Sequence, residues 1–520
     1  MPSSISISSD TDIRPEALWT KMVRGGGWLL LLRLVERTLG LARIFVLARL
    51  LSPDDFGLIA IGLMAISLTR SIASTGFRQA LVQKQGDVED YLGTAWTVNF
   101  IRDLILAAAM VATAPLVAGF FDAPGARPVL QVLAVSWLLS GLRNIGTVHI
   151  HRRLAFRRFF VYQMSARSTE MIVSITAAVV FMNVWALVIG LLASNLAELV
   201  MSYVVAPRPK KIGLNLRQAR ELFQFGRWVM GSTAVGFLLL QLDRIVVGKI
   251  AGVATLGLYE VAYHISTLMS RELRRVLARM SFPAYARLLG EAPGDIGQAF
   301  LKLFQAATLL VIPVAFGTIL LADGLVQHVL GDRWLSMTTT LQILAVFTIL
   351  QTSSTMVVPL FNGLGRPDLL AKILAARLGI LAVIIYPFTR WWGMEGAAIA
   401  VVVSSAIIDP VVWTVLMRLI NIGIRDVLGA LAPALAGGVT LAMVVLLAGG
   451  TVLQPDDLAR FVGLAVAGGL GYLAGLATWA VVFHWDPLAW TRLNANAPPG
   501  DTAPDRERET EAEGSGFTWD

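Results

Sequence analysis

The residues best suited to chemistry lie in an apolar segment, "RLVERTLGLARIFVLAR", at residues 33–49. On a helix that turns about 100° per residue, Arg33, Glu36, Arg37 and Arg43 fall within a sector of about 120°. A charge near the centre of a membrane helix costs about 2.5–3.5 kcal/mol on an insertion scale, so this face needs water or polar partners. Guanidinium groups hold phosphate oxygens in a bidentate manner. The segment therefore predicts an anion-binding helix face inside a polar cavity.

Four later apolar segments carry polar residues at spacings of three, four or seven, which place side chains on one helix face. These stripes are Asn99, Arg102 and Asp103; Ser136, Ser140, Arg143 and Thr147; Arg167, Glu170 and Ser174; and Asn195, Glu198 and Ser202. Their recurrence predicts a shared polar interior in the first half of the chain. Pairing between helices is the alternative interpretation for each single residue.

The elements that carry these residues are membrane helices. The chain has 520 residues, 56% of them hydrophobic and 15% charged, with a mean hydropathy of +0.68. A membrane-spanning helix needs about 20 mostly apolar residues. Apolar runs of this kind lie near 28–50, 56–76, 94–119, 129–148, 164–183, 185–206, 225–249, 254–280, 299–321, 338–360, 370–390, 395–418, 427–449 and 461–484. We therefore expect an all-α polytopic membrane protein with about 14 transmembrane helices.

Lysine and arginine are unevenly distributed over the loops between these runs. One set of alternate loops is rich in them, at 78–84, 152–158, 208–220, 271–287, 366–372 and 418–425. By the positive-inside rule this set is cytoplasmic, and both termini then lie on the same side. The net charge of +8 is accounted for by these loops, so we expect membrane lipid, not nucleic acid, as the partner of the basic residues.

An internal repeat relates "RIFVLARLLSPDDFGLIAIGLMAIS" (43–67) to "RIVVGKIAGVATLGLYEVAYHIS" (244–266). The offset of about 200 residues predicts two six-helix lobes around a central cavity, related by an axis along the membrane normal. The predicted units are a mobile cytoplasmic arm (1–20), an N-terminal lobe with helices 1–6 (21–206), a basic cytoplasmic linker (207–224), a C-terminal lobe with helices 7–12 (225–420), two additional helices (421–485) and a disordered cytoplasmic tail (486–520).

Titratable residues mark the start of the second lobe. Asp243 lies within the seventh predicted helix, and Glu260 and His264 share a face of the eighth. Burial shifts the pKa of carboxylates and of histidine, so such groups are candidates for ion coupling. A hydrogen-bonding role is the alternative for His264.

Several classes of enzyme lack their usual parts in this sequence. It contains no HExxH, GxSxG, GxxxxGK[ST] or paired CxxC motif and no cysteine. We therefore expect no metal, no cofactor and no catalytic residues. A membrane polymerase or ligase of lipid-linked glycans stays open as an alternative, although such an enzyme would need a sizeable loop to hold the sugar.

Three short segments carry a resemblance to a known family. These are "ARLLSPDDFG" (48–57), "GVATLGLY" (252–259) and "SFPAYARL" (281–288). In their order and spacing they resemble the Wzx-like polysaccharide and O-antigen flippases of the multidrug/oligosaccharidyl-lipid/polysaccharide exporter superfamily. The resemblance extends over most of residues 20–485.

The resemblance implies a transporter of the bacterial inner membrane with no chemical step. Its substrate would be an undecaprenyl-diphosphate-linked oligosaccharide, moved by ion-coupled alternating access, and other polysaccharide-assembly proteins are candidate partners. On this basis we assign diphosphate contact to Arg33, Arg37, Arg43, Arg70 and Arg143, and ion coupling to Asp243, Glu260 and His264. A drug exporter on the same fold and a scaffold within a polysaccharide-synthesis complex are the remaining alternatives.

Overall fold

The structure is a computed structural model. It describes residues 32, 35–72, 89–152, 155–206, 213, 236–268, 296–364, 366–452 and 458–483. The predicted arm (1–20), all of the predicted linker (207–224) except residue 213, and the predicted tail (486–520) lie outside the described residues. Arg33 of the predicted anion-binding face also lies outside them.

We use the name N-terminal lobe for the described residues between 35 and 205, which form helices joined by short turns. Its helices are α1 (35–50), α2 (Pro53–Ile72), α3 (Glu89–Phe120), α4 (Ala126–Leu133), α5 (Val135–Gly141), α6 (Val148–Arg152), α7 (Phe156–Phe181) and α8 (Trp185–Val205). Helices α7 and α8 form an antiparallel pair with a long shared contact. The two helices can approach closely because Gly190 has no side chain. A Cβ atom at this position would lie only 2.5 Å from Cβ of Ser174.

The rest of the chain is helical in the same way where it is described. The C-terminal lobe contains α9 (236–250), α10 (Val253–Ser266), α11 (Ile296–Leu320), α12 (Ala322–Leu325), α13 (Thr338–Gly363) and α14 (Pro367–Ile420), and it is followed by α15 (Ile424–Val452) and α16 (Leu458–Val482). A short π-helix (Val326–Leu330) and a 3-10 helix (Asp332–Met337) connect α12 to α13.

Three of the predicted runs do not correspond to single separate helices. The predicted run 129–148 is not one helix, because α4 and α5 are followed by a break at Asn144 and a 3-10 turn. The Asn144 amide stabilises this break by accepting from the Gly146 N–H at 2.9 Å and donating to the Ala206 carbonyl at 3.1 Å. Helix α14 covers two predicted runs, 370–390 and 395–418, and Trp392 and Gly393 between them have non-helical dihedral angles.

The all-α membrane fold predicted from the sequence is confirmed. Within the described residues, eight helices are long and apolar enough to cross a membrane. The count of fourteen crossings stays a prediction.

The turn between α1 and α2 is held by a capping box: Ser52 donates its N–H to the Asp55 carboxylate at 2.9 Å, and its hydroxyl donates to the same oxygen at 2.6 Å.

The two lobes meet where α2 crosses α10. A Cβ atom at Gly57 would lie 2.0 Å from the carbonyl oxygen of Val253, and a Cβ atom at Gly257 would lie 1.9 Å from the carbonyl oxygen of Pro53. The predicted repeat pairs Gly57 with Gly257, so the two contacts are reciprocal. Reciprocal contacts of this kind are what a two-fold relation between two copies produces.

Polar contacts at the same end of the helices repeat this symmetry. Arg49, at the end of α1, donates through Nε to the Val329 carbonyl at 2.9 Å. Lys249 occupies the matching place at the end of α9 and pairs with Asp122 at 2.6 Å. Each basic residue therefore reaches across to the other lobe.

An indole group completes this end of the interface. The buried Trp334 donates from Nε1 to the Ala48 carbonyl at 2.9 Å, and its ring lies edge-on to Phe56. We refer to the contacts of Arg49, Gly57, Lys249, Gly257 and Trp334 as the inter-lobe seal.

The seal leads to a prediction about stability. Gly57→Ala and Gly257→Ala force backbone atoms of the two lobes apart, and such overpacking costs about 1–3 kcal/mol. Each variant should therefore lower the midpoint of thermal unfolding in detergent. Gly463→Ala, in α16, is the matched control because its added Cβ meets nothing within 4 Å. Unfolding midpoints equal to that of the control would show that the close contact does not hold the lobes together.

Candidate functional site

A polar cavity lies between the two lobes. One part of it has a volume of about 300 Å³ and an adjoining part about 280 Å³. Both parts are lined by Arg43, Ile44, Arg167, Glu170 and His264, so they form one space, which we call the interface cavity. Its walls come from α1, α2, α7, α8 and α10.

The N-terminal wall of the cavity is an ion-paired cluster. Glu170 on α7 pairs with Arg43 on α1 through one carboxylate oxygen and with Arg167 through the other, the latter at 3.0 Å. The Glu170 side chain is 8% exposed, whereas the side chains of Arg43 and Arg167 are 26% and 50% exposed. One buried carboxylate is therefore shared by two guanidinium groups that reach the cavity.

The α1 face extends this cluster. Glu36, Arg37 and Arg43 all line the cavity, as the helical spacing predicts. Three arginines and three glutamates face the space, because Glu260 also lines it from the other lobe. The cavity lining therefore contains equal numbers of cationic and anionic side chains.

The C-terminal wall contains a second ion pair. Arg244 on α9 pairs with Glu260 on α10 at 2.5 Å, and its guanidinium lies 4.2 Å from the centre of the Tyr263 ring. Arg244 begins the second copy of the predicted repeat, as Arg43 begins the first. The neighbouring Asp243 is buried and accepts a hydrogen bond from the Tyr259 hydroxyl at 2.8 Å.

A second pocket lies within the N-terminal lobe, and we call it the lobe pocket. Its volume is about 190 Å³, and Arg70, Trp137 and Asn195 line it. Leu63 and Leu191 line both the lobe pocket and the interface cavity, so the two spaces adjoin. The lobe pocket is smaller and has no wall from the C-terminal lobe.

The predicted site residues are therefore divided between several places. The interface cavity brings together Arg37, Arg43, Glu260 and His264. Arg70 lines the lobe pocket. Two others line neither space: Arg143, which pairs with Glu198, and the buried Asp243, which packs against α10.

The sequence alone did not assign a role to Arg167 and Glu170, which line the cavity. It also did not predict the ion pair between Arg244 and Glu260. Arg167 and Glu170 formed a polar stripe, but only the fold brings that stripe against Arg43. Arg244 could have been found from the repeat, because an Arg-Ile pair begins both of its copies. Among the described residues, no group of three or more histidine, aspartate and glutamate side chains is placed to hold a metal ion.

The fold and the cavity define a two-lobed membrane transporter, and comparisons with known proteins agree. The protein family described as "Polysaccharide biosynthesis protein" matches residues 46–339. The chain belongs to this family. The predicted family and the prediction of a transporter rather than an enzyme are thereby confirmed.

Individual relatives are also named for polysaccharide biosynthesis. The succinoglycan biosynthesis transport protein ExoT of Rhizobium meliloti is 21% identical over 77% of this chain and 78% of its own length. The lipopolysaccharide biosynthesis protein WzxC of Escherichia coli is 22% identical over 68% of this chain and 73% of its own. Among solved structures, the lipid II flippase MurJ in an inward closed conformation matches with a TM-score of 0.67 and 13% identity, over 88% of this chain and 99% of that one.

The shared carboxylate gives a testable prediction. Glu170→Gln removes the partner of both Arg43 and Arg167, and hydrogen bonds to charged groups contribute about 1.5–3 kcal/mol. We expect thermal unfolding in detergent to show a loss of about 2 kcal/mol. The double variant Glu170→Gln/Arg43→Gln should lose less free energy of unfolding than the two single variants added together, because either single change already breaks the pair. Additive losses would mean that the contact contributes nothing.

Proposed function

We propose that this protein is a flippase that translocates undecaprenyl-diphosphate-linked oligosaccharides across the bacterial inner membrane for export of a surface polysaccharide. The observation that carries the proposal is the cluster on the cavity wall, in which Arg43 and Arg167 share Glu170. Two cations with one anion leave guanidinium donors available. A diphosphate supplies the additional acceptor oxygens that these donors need.

The position of the cavity supports the same substrate. A lipid-linked glycan has an apolar tail, an anionic link and a hydrated sugar, so its carrier needs a polar space inside a protein that is apolar outside. The 280 Å³ part of the interface cavity supplies the polar space, with charged side chains from α1 and α7 and with His264 from the other lobe. The outer surfaces of α3, α7 and α8 carry exposed apolar residues such as Leu116, Ile172 and Val204.

The seal supports a mechanism of alternating access. By the distribution of basic loops we place both termini in the cytoplasm, and the end of α1 and the start of α2 then lie at the periplasmic face. The inter-lobe seal closes the protein at that face. Release of the glycan outward requires the lobes to separate where Gly57 and Gly257 touch.

We assign diphosphate contact first to Arg37. This residue lines the cavity between one and two helical turns before Arg43 on α1. Arg37→Ala should lower the rate of translocation by tenfold or more, since charge-assisted hydrogen bonds contribute about 1.5–3 kcal/mol. Arg37→Lys should retain part of the rate because the charge remains. The measurement is flipping of a labelled undecaprenyl-diphosphate oligosaccharide in sealed proteoliposomes.

The control for this experiment is Arg127→Ala. Arg127 is an exposed arginine at the start of α4 and lies outside both spaces. It should leave translocation unchanged. Normal translocation by both Arg37 variants would remove the diphosphate assignment from α1.

Ion coupling is assigned to the junction of α9 and α10. The Asp243 carboxylate accepts hydrogen bonds from the backbone N–H of Arg244 and from the Tyr259 hydroxyl on α10. Glu260 and Tyr263 on α10 are held by the same arginine. A proton taken up by Asp243 or Glu260 would weaken the Arg244 network, and this change can reach the cavity through Glu260 and His264.

Asp243→Asn tests this assignment. Asparagine keeps the size of the side chain and an acceptor for Tyr259, but it cannot carry a proton. We expect translocation by this variant to lose its dependence on an imposed pH gradient while it still binds substrate. The control is wild-type protein with and without a protonophore. A variant that responds to the gradient as wild type does would rule out Asp243 as the coupling group.

A further inference from the structure

The lobe pocket offers a chemistry that differs from that of the interface cavity. Its polar lining comes from α2, α5 and α8 and includes Arg70, Ser136 and Asn195. It adjoins the interface cavity at Leu63 and Leu191, which line both spaces. A ligand seated in the interface cavity therefore has an adjoining polar space into which one further group can extend.

Arg70 carries the charge of this pocket. The carboxylates near it, Asp103 and Glu198, are already paired with Arg102 and Arg143. Within the described residues Arg70 has no ion pair, and its guanidinium lies 5.9 Å from the centre of the Trp137 ring. Both carboxylates lie near enough to attract Arg70, but each is shared with an arginine that it contacts directly, so Arg70 can still take an anionic partner from a ligand.

The opposite wall of the pocket is fixed in position. Asn195 accepts from Nη2 of Arg143 at 2.6 Å and donates to the Leu191 carbonyl at 2.9 Å. Ser136, which is 8% exposed, lies within 3.5 Å of the same amide. Arg143 is therefore a positioning residue, since it holds Asn195 without lining the pocket itself. A rigid amide and hydroxyl groups suit the hydroxyls of a sugar ring.

We propose that the lobe pocket binds a carboxylate-bearing sugar of the translocated glycan, with Arg70 paired to the carboxylate and Asn195 and Ser136 in contact with ring hydroxyls. This inference rests on the proposed function and adds the class of sugar. The diphosphate offers the same oxygen-acceptor chemistry, but Arg43 and Arg167 in the interface cavity are already assigned to it. Arg70 then selects for acidic glycans, while Arg37 and Arg43 serve the link common to all of them.

The test uses two undecaprenyl-diphosphate-linked disaccharides that differ only in the terminal sugar, glucuronate or glucose. Affinity is measured from the rise in melting temperature of the detergent-purified protein with probe concentration. The variants are Arg70→Gln, Arg70→Lys and the surface control Arg127→Gln. We expect wild type and the control to bind the glucuronate probe about tenfold more tightly than the glucose probe. Arg70→Gln should abolish that preference and Arg70→Lys should keep part of it.

Three results would overturn the proposal. Wild type with equal affinity for the two probes, or with none for either, has no acidic-sugar site. An Arg70→Gln variant that binds both probes more weakly by the same factor places the diphosphate at Arg70 instead. An Arg70→Gln variant that keeps the preference places the carboxylate elsewhere. The flippase proposal is tested separately by translocation of the glucuronate probe in proteoliposomes, so selective binding without translocation would sustain the pocket and reject the transport function.

Discussion

The structure depends on one close contact, the crossing of α2 and α10 at Gly57 and Gly257. Because neither residue has a Cβ atom, each helix backbone approaches a carbonyl oxygen of the other lobe, at Val253 and at Pro53. This approach fixes the distance between the lobes at one end of the molecule. It also determines which residues can face the space between them, since Ala60 and Leu63 on α2 and Val261 and His264 on α10 line the cavity beyond the crossing.

The second constraint is the cost of charge in a membrane. The N-terminal lobe places several arginines within apolar helices, and the fold compensates most of them with a carboxylate from another helix or an adjacent residue. The compensation is incomplete at Glu170, which serves two arginines, and at Arg70, which forms no ion pair of its own among the described residues because Asp103 and Glu198 pair with other arginines. A fold of this kind keeps the helices stable in the bilayer and still leaves binding capacity for an anion.

The sequence predicts the fold better than it predicts the site. Apolar runs of sufficient length locate nearly every described helix, because the bilayer imposes that length on each of them. Helical periodicity alone places Arg37 and Arg43 on one face of α1, and both line the interface cavity, whereas their contact with a diphosphate stays a prediction. The separation of Arg70 from Arg43 could not be predicted, because it depends on how α2 packs against α5 and α8. The pairing of Arg143 with Glu198 likewise depends on a break in the chain at Asn144, which no hydrophobic pattern marks.

The internal repeat explains more of the molecule than its short length suggests. Arg49 and Lys249 occupy matching positions, yet one binds a backbone carbonyl and the other a carboxylate, so the two lobes preserve the geometry of the seal and not its chemistry. Exposed ionic contacts of this type contribute only about 0–1 kcal/mol each. The strength of the seal therefore lies mainly in the shape of the glycine crossing, which is lost as soon as the helices move apart. A closure made by shape, with weak polar contacts around it, holds one state firmly and still permits the lobes to separate.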